Sequence, residues 1–277
     1  MTTADVHVQR TRSTTTNRAG FAQVLMAEWT KFISLRANIW TLIAAAFVSI
    51  VVGAVFVFAH LDFWSGMTPE ERSLIDPVHE SFIGLSVFGI LGFAVIGALA
   101  MTSEYSSGTI ASTFAAVPNR IRVLVAKAII IGLVTIGFAL VTAFVSFLIA
   151  QPILARESLD VSLVDSGVLI AVIGGGLYSA GAALIGLALG AILRRTAATI
   201  VAVSVIFSLA TIITQAQPES WSRVTKYLPH SAGLSAISSI EHSTLLSPLA
   251  GLVVLTVWVV LGLVVAGVLI DRRDTGV

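Results

Sequence analysis

Six stretches of the chain are apolar without interruption over lengths that would cross a bilayer: Ile39–Ala59, Phe82–Thr102, Leu124–Ala150, Val168–Leu193, Ala197–Gln215 and Pro248–Ile270. At 1.5 Å rise per residue, about 20 helical residues span the roughly 30 Å of hydrocarbon. Backbone amides in lipid find no water, so such runs must close their hydrogen bonds internally, as helices. None of the six contains Asp or Glu, and Lys127 is the single formal charge inside them. With 56% hydrophobic and 11% charged residues, against about 25% charged in ordinary soluble domains, the chain has too little polar surface for a water-exposed fold. The fold class is therefore read as all-α integral membrane, with six transmembrane helices over 38–271.

Charge placement orients the bundle. With the amino terminus inside, Arg10, Arg12, Arg18, Lys31, Arg36, Arg120, Arg122, Lys127, Arg194, Arg195, Arg272 and Arg273 fall on the cytoplasmic side. Only Arg72, Arg156, Arg223 and Lys226 fall outside, where most of the acids also lie. Lysine and arginine near spans stay in the cytoplasm, so both termini are expected inside, in a multi-pass plasma-membrane protein. Met1–Gly20, rich in Thr, Ser and Arg and without an apolar core, reads as a disordered cytoplasmic tail rather than a secretory signal. Residues 272–277 read as a second short tail.

Two segments neither span nor simply connect. Over 21–37, Phe21, Leu25, Phe32 and Leu35 gather near one helical face with Trp29 beside them, while Glu28, Lys31 and Arg36 are expected toward water or headgroups. That pattern predicts an amphipathic helix in the membrane surface, in contact with lipid. Gln217–Ser247 is a long outer loop in which Leu234, Ile237, Ile240 and Leu245 after Pro229 predict a short helix lying back over the bundle.

Several chemistries find no support. None of the three lysines follows a glycine, so no phosphate-binding GxxxxGK[ST] loop exists, and HExxH and GxSxG are missing as well. The absence of cysteine removes disulfide and thiolate chemistry. His60, His79, His230 and His242 lie on the outer side without helical ligand spacing, so no metal site is assigned. In the fourth span, Ala182, Gly186 and Gly190 recur at four-residue spacing, a packing stripe that lets helices approach closely.

The most distinctive inner stretch is Glu104-Tyr105-Ser106-Ser107-Gly108-Thr109-Ile110, leading to Phe114 and Pro118-Asn119-Arg120. A glycine breaks the second span, a short helix begins near Thr109, and Ile110, Phe114 and Val117 form an apolar ridge able to fit a partner's groove.

These residues carry a resemblance. Ala27-Glu28-Trp29-Thr30-Lys31 with Ser34, Leu35 and Arg36, together with Glu104-Tyr105-Ser106-Ser107-Gly108-Thr109-Ile110, Ala116-Val117-Pro118 and Lys127, resembles actinobacterial ABC-2 type permeases over nearly the whole chain. The resemblance implies the membrane subunit of an ATP-driven exporter, not itself an enzyme. It implies pairing with a second permease copy or a sister permease, and a separate ABC ATP-binding subunit that carries the ATP and magnesium. Glu28, Trp29, Lys31, Glu104, Tyr105, Gly108, Thr109, Ile110 and Phe114 would then form the interface coupling the permease to that ATPase, and 217–247 would hold the family's extracellular gate helices. The chain itself needs no cofactor, and nucleic acid is not an expected partner. The spans fit a hydrophobic or amphipathic cargo such as a drug, lipid, peptide or antibiotic. A partner-free channel or secondary carrier, a membrane-embedded enzyme and a non-transporting immunity protein are the competing readings.

Overall fold

A computed structural model describes residues 20–63, 66–73, 75–216, 223–239 and 245–273. The expected amino-terminal tail up to residue 19, the ends of the outer loop at 217–222 and 240–244 (with Ile240 and His242), and residues 274–277 of the second tail lie outside the described residues.

Helix α1 (Phe21–Ser34) is followed, after Leu35 alone, by α2 (Arg36–Asp62). Two five-residue helices, α3 (Pro69–Ser73) and α4 (Pro77–Ser81), lead to a single π-turn at Leu85–Gly89 that opens α5 (Ile90–Ser106). The short α6 (Thr109–Ala116) precedes α7 (Arg120–Leu154), α8 (Val168–Leu193) and α9 (Thr196–Ala216). A nine-residue α10 (Pro229–Ile237) and the long α11 (Pro248–Arg272) complete the chain.

Five of these are long and apolar enough to cross a membrane among the described residues: Arg36–Asp62, Leu85–Ser106, Arg120–Glu157, Val168–Leu193 and Pro248–Arg272. The sixth expected span coincides with α9, whose described apolar part is the shorter Thr196–Leu209. α8 is the axis of the bundle. Its most apolar window is 72% buried, against 28–33% for α2, α7 and α11, and α5, α7 and α11 all pack around it.

Backbone proximity explains why α8 can sit there. A Cβ on Gly186 would lie 2.0 Å from the Ala94 carbonyl oxygen of α5, and one on Gly97 of α5 would lie 1.7 Å from that of Ala183. The two helices meet through small residues, which lets dispersion contacts form along the whole seam. Gly190 continues the line against Ala98, and Ala182 is fully buried one turn earlier.

The two ends of the bundle differ in charge and construction. At the basic end, arginines satisfy carbonyls that helix termini leave unpaired. Arg120 donates at 2.9 Å to both Ile270 and Arg273, closing the end of α11, and Arg273 donates at 3.1 Å to Ile192 near the end of α8. Arg194 breaks α8 from α9 by taking a left-handed conformation, φ 57°.

Candidate functional site

The site lies at the basic end, where α1, α5, α6 and α7 converge. Gly108 makes the convergence possible. It sits at φ 72°, a left-handed conformation that a residue with a Cβ adopts only with strain, and it turns the chain out of α5 into α6.

Within the angle so formed, four charged side chains close a network. Lys127 of α7 donates to Glu28 Oε2 of α1 at 2.5 Å and to Glu104 Oε1 of α5 at 2.7 Å. Lys31 of α1 donates to Glu28 Oε1 at 2.7 Å, to Glu104 Oε1 at 3.1 Å and to Thr113 Oγ1 of α6 at 3.0 Å. Glu28, Glu104 and Lys127 are 3%, 8% and 5% exposed, so three of the four charges are essentially out of water. Two carboxylates against two ammoniums make the group formally neutral, the condition under which ions are tolerated at such depth. Burial opposes the charge on Lys31, but its bond to Glu28 and the fields of Glu104 and Glu28 outweigh that and hold its ammonium above the ordinary lysine value.

Glu104 uses only one oxygen for both lysines. Its Oε2 is buried and has no hydrogen-bond partner among the described residues. A cavity of about 440 Å³ opens beside the network, bordered by Lys31, Ser103, Glu104, Ser107 and Lys127.

Two expectations are corrected here. Glu28 does not face water or headgroups: the buried face of α1 is Val24, Glu28 and Phe32, one turn apart, while Phe21, Trp29 and Leu35 are exposed. The carboxylate points inward because Lys127 and Lys31 both donate to it there. Ile110 and Phe114 likewise form no exposed ridge. They are 1% and 8% exposed and pack with Val24, Met101 and Val123 in the chain's own core. The open face of α6 is Thr109, Ser112, Ala115 and Ala116. Arg120 stacks over Phe114, 5.3 Å from guanidinium to ring centre, and Arg194 lies 5.1 Å over the half-buried Tyr105 ring.

Of the residues expected to act together, Glu28, Lys31 and Glu104 meet directly. Gly108 and Thr109 form the turn, Ile110 and Phe114 seat α6, and Trp29 stands apart on the outer face of α1. Lys127 and Thr113 complete the network, although neither is among the residues expected at the coupling interface. A lone lysine in an otherwise uncharged span was the available signal, since a charge at that depth requires a partner.

The opposite end holds a second polar assembly. Asp76 caps α4 through the amides of Val78 and His79 and also accepts from Ser238 Oγ, Ser239 N and Ser239 Oγ at 2.7–2.9 Å. It thereby ties the loop before α5 to the end of α10. Burial opposes ionisation of Asp76, but the Ser239 and Ser238 bonds prevail and hold its carboxyl below the ordinary range. α10 rests on α8: Tyr178, fully buried, bonds His230 Nδ1 at 2.7 Å, and a Cβ on Gly233 would lie 2.0 Å from the Tyr178 ring. Burial, helped by His79, pushes the His230 imidazole down to about 4. Among the described residues no group of His, Asp and Glu is arranged to hold a metal ion.

No curated protein and no solved structure matches the chain. Residues 24–214 match the family described as ABC-2 family transporter protein, a match that takes in the charged network, the α5–α6 turn and the α5–α8 seam. The chain thus belongs to the ABC-2 family of transporter proteins, the membrane components of ABC transporters.

Proposed function

We propose that this chain is the permease subunit of an ATP-driven exporter in the plasma membrane, with its basic end and both termini in the cytoplasm. It works with a separate ABC ATP-binding subunit and a second permease copy or sister permease, and moves a hydrophobic or amphipathic substrate outward. The observation that carries the reading is the buried network of Glu28, Lys31, Glu104 and Lys127. It links the surface helix α1 and the short helix α6 to the long helix α7 at one point.

A chain without an ATP-binding loop needs an external motor, and a motor can act only through a part that moves as a unit. Four mutually bonded charges in a low dielectric form such a unit, since separating any one leaves an uncompensated buried ion, at a cost of about 3–5 kcal/mol. A push on the open face of α6 is transmitted through Thr113 and Lys31 to α1, and through Glu104 and Lys127 to α7. The unpaired Glu104 Oε2 and the adjoining cavity let the lysines exchange oxygens while the network stays neutral. At the far end, displacement of α8 reaches α10 through Tyr178, so the Asp76 junction yields last.

The test is reconstitution of the purified chain with the ABC ATP-binding subunit encoded beside it. A stable complex whose ATP hydrolysis is altered by Glu104→Gln, with the permease still folded, supports the reading. Failure of the two proteins to associate in detergent or in vesicles contradicts it.

A further inference from the structure

A second cavity is separate from the network. It is a groove of about 880 Å³ between α7 and α11, running toward the basic end. Val125, Ile129 and Leu133 of α7 face Val260, Val264 and Val268 of α11 across it, all of them 38–64% exposed. From Ile121 to Ile136 the lined part of α7 covers sixteen residues, about 22 Å of helix. That is close to the depth of one bilayer leaflet with its headgroups, half of roughly 40–45 Å.

The groove changes character only at its basic rim, where Asp271 and Arg272 line it. Arg122 is exposed near the start of α7, three residues before Val125 and seven before Ile129, hence on the same side of that helix. Arg120 and Arg273 are occupied with backbone carbonyls. The guanidinium groups of Arg122 and Arg272 have no hydrogen-bond or ion-pair partner among the described residues. Among the described residues, these two cations stand against one acid, Asp271, which leaves that part of the rim positive.

We infer that this groove is a binding site for one anionic phospholipid, its acyl chain between α7 and α11 and its phosphate held by Arg122 and Arg272. The apolar walls alone would admit any lipid. The arginines at the basic end of the groove select an anionic one, as basic pockets between transmembrane helices do. Assigning the lipid to the cytoplasmic leaflet rests on the orientation proposed above; the site itself does not.

The test is native mass spectrometry of the purified full chain, delipidated in detergent and titrated separately with phosphatidylglycerol and phosphatidylcholine. The expected result is one retained phosphatidylglycerol and roughly tenfold weaker retention of phosphatidylcholine. Arg122→Gln with Arg272→Gln removes the preference, while Ala128→Trp fills the groove and removes both lipids with the arginines intact. Equal retention of the two lipids, or a preference that survives the double arginine variant, overturns the proposal. A disulfide between two chains through Leu133→Cys, formed in membranes, overturns it too, because a second copy would then cover the groove. Retention is read on the chain alone, so failure of the exporter reading would leave the result unaffected.

Discussion

Glu28 and Lys127, ninety-nine positions apart in sequence, are hydrogen bonded to each other beneath the surface helix. This contact decides which face of α1 is turned inward, and it makes α1 part of the bundle rather than a passive anchor. Lys127→Met would leave two buried carboxylates, Glu28 and Glu104, with Lys31 as their one remaining counter-ion in the network. We expect a loss of about 3–5 kcal/mol, seen as a lower melting temperature in detergent. Pairing Lys127→Met with Glu104→Gln should recover part of it. A melting point equal to that of the native chain would mean the network is incidental.

Phe114 and Ala115 are neighbours with opposite fates. Phe114→Asp puts a charge into the core formed with Val24 and Met101, so poor expression or unfolding is expected. Ala115→Arg, on the open face of α6, should leave melting unchanged within about 0.5 kcal/mol and weaken association with the ATP-binding subunit. Size-exclusion profiles and pull-down of that subunit separate the two effects.

The α5–α8 seam makes a sharp contrast between two glycines. Gly186→Ala places a methyl 2.0 Å from the Ala94 carbonyl, whereas Gly132→Ala meets nothing closer than 3.8 Å. The first should destabilise by about 1–3 kcal/mol or more through forced separation of backbones. The second should be neutral or mildly stabilising, since alanine is the better helix former. Thermal unfolding of both variants in the same detergent is the check.

Acid should loosen the end that carries α10. The folded His230 imidazole titrates near 4, below its ordinary value of 6.5, so between those values the unfolded chain takes up a proton that the folded chain refuses. Stability is therefore full above about pH 6.5 and falls toward pH 4, by about 3 kcal/mol if the site opens only on unfolding. Asp76 acts in the same direction lower on the scale: its depressed carboxyl contributes above its ordinary value and is lost as pH drops through the folded one. Hydrogen exchange of α10 against pH reads this, and His230→Gln should flatten the upper part of the curve.

Much of the fold could be read in advance because its strongest constraints are one-dimensional. Apolar run lengths located α2, α7, α8 and α11 within about four residues, and Gly108 with Pro118 bracketed α6; the run Phe82–Thr102 begins eight residues before α5, because the π-turn at Leu85–Gly89 intervenes. Which face each short helix buries was another matter. α1 and α6 carry polar and apolar residues in mixed order, and a carboxylate in isolation, such as that of Glu28, prefers water. Its preference reverses only when Lys127 and Lys31 are brought alongside, a fact of tertiary structure. The π-turn at Leu85–Gly89 and the junction of Asp76 with Ser238 and Ser239 left no trace in periodicity for the same reason: each depends on contacts between segments distant in sequence.

In the proposed mechanism the basic end, through the open face of α6, receives the ATP-binding subunit. The chain has no cysteine of its own, so single-cysteine variants report without background. Ala115→Cys at the basic end and Thr68→Cys at the other end should be compared for cross-linking to the ATP-binding subunit in membranes. The expected result is a cross-link from Ala115→Cys that changes when ATP is added, and none from Thr68→Cys. A cross-link from Thr68→Cys, or from neither, would contradict it.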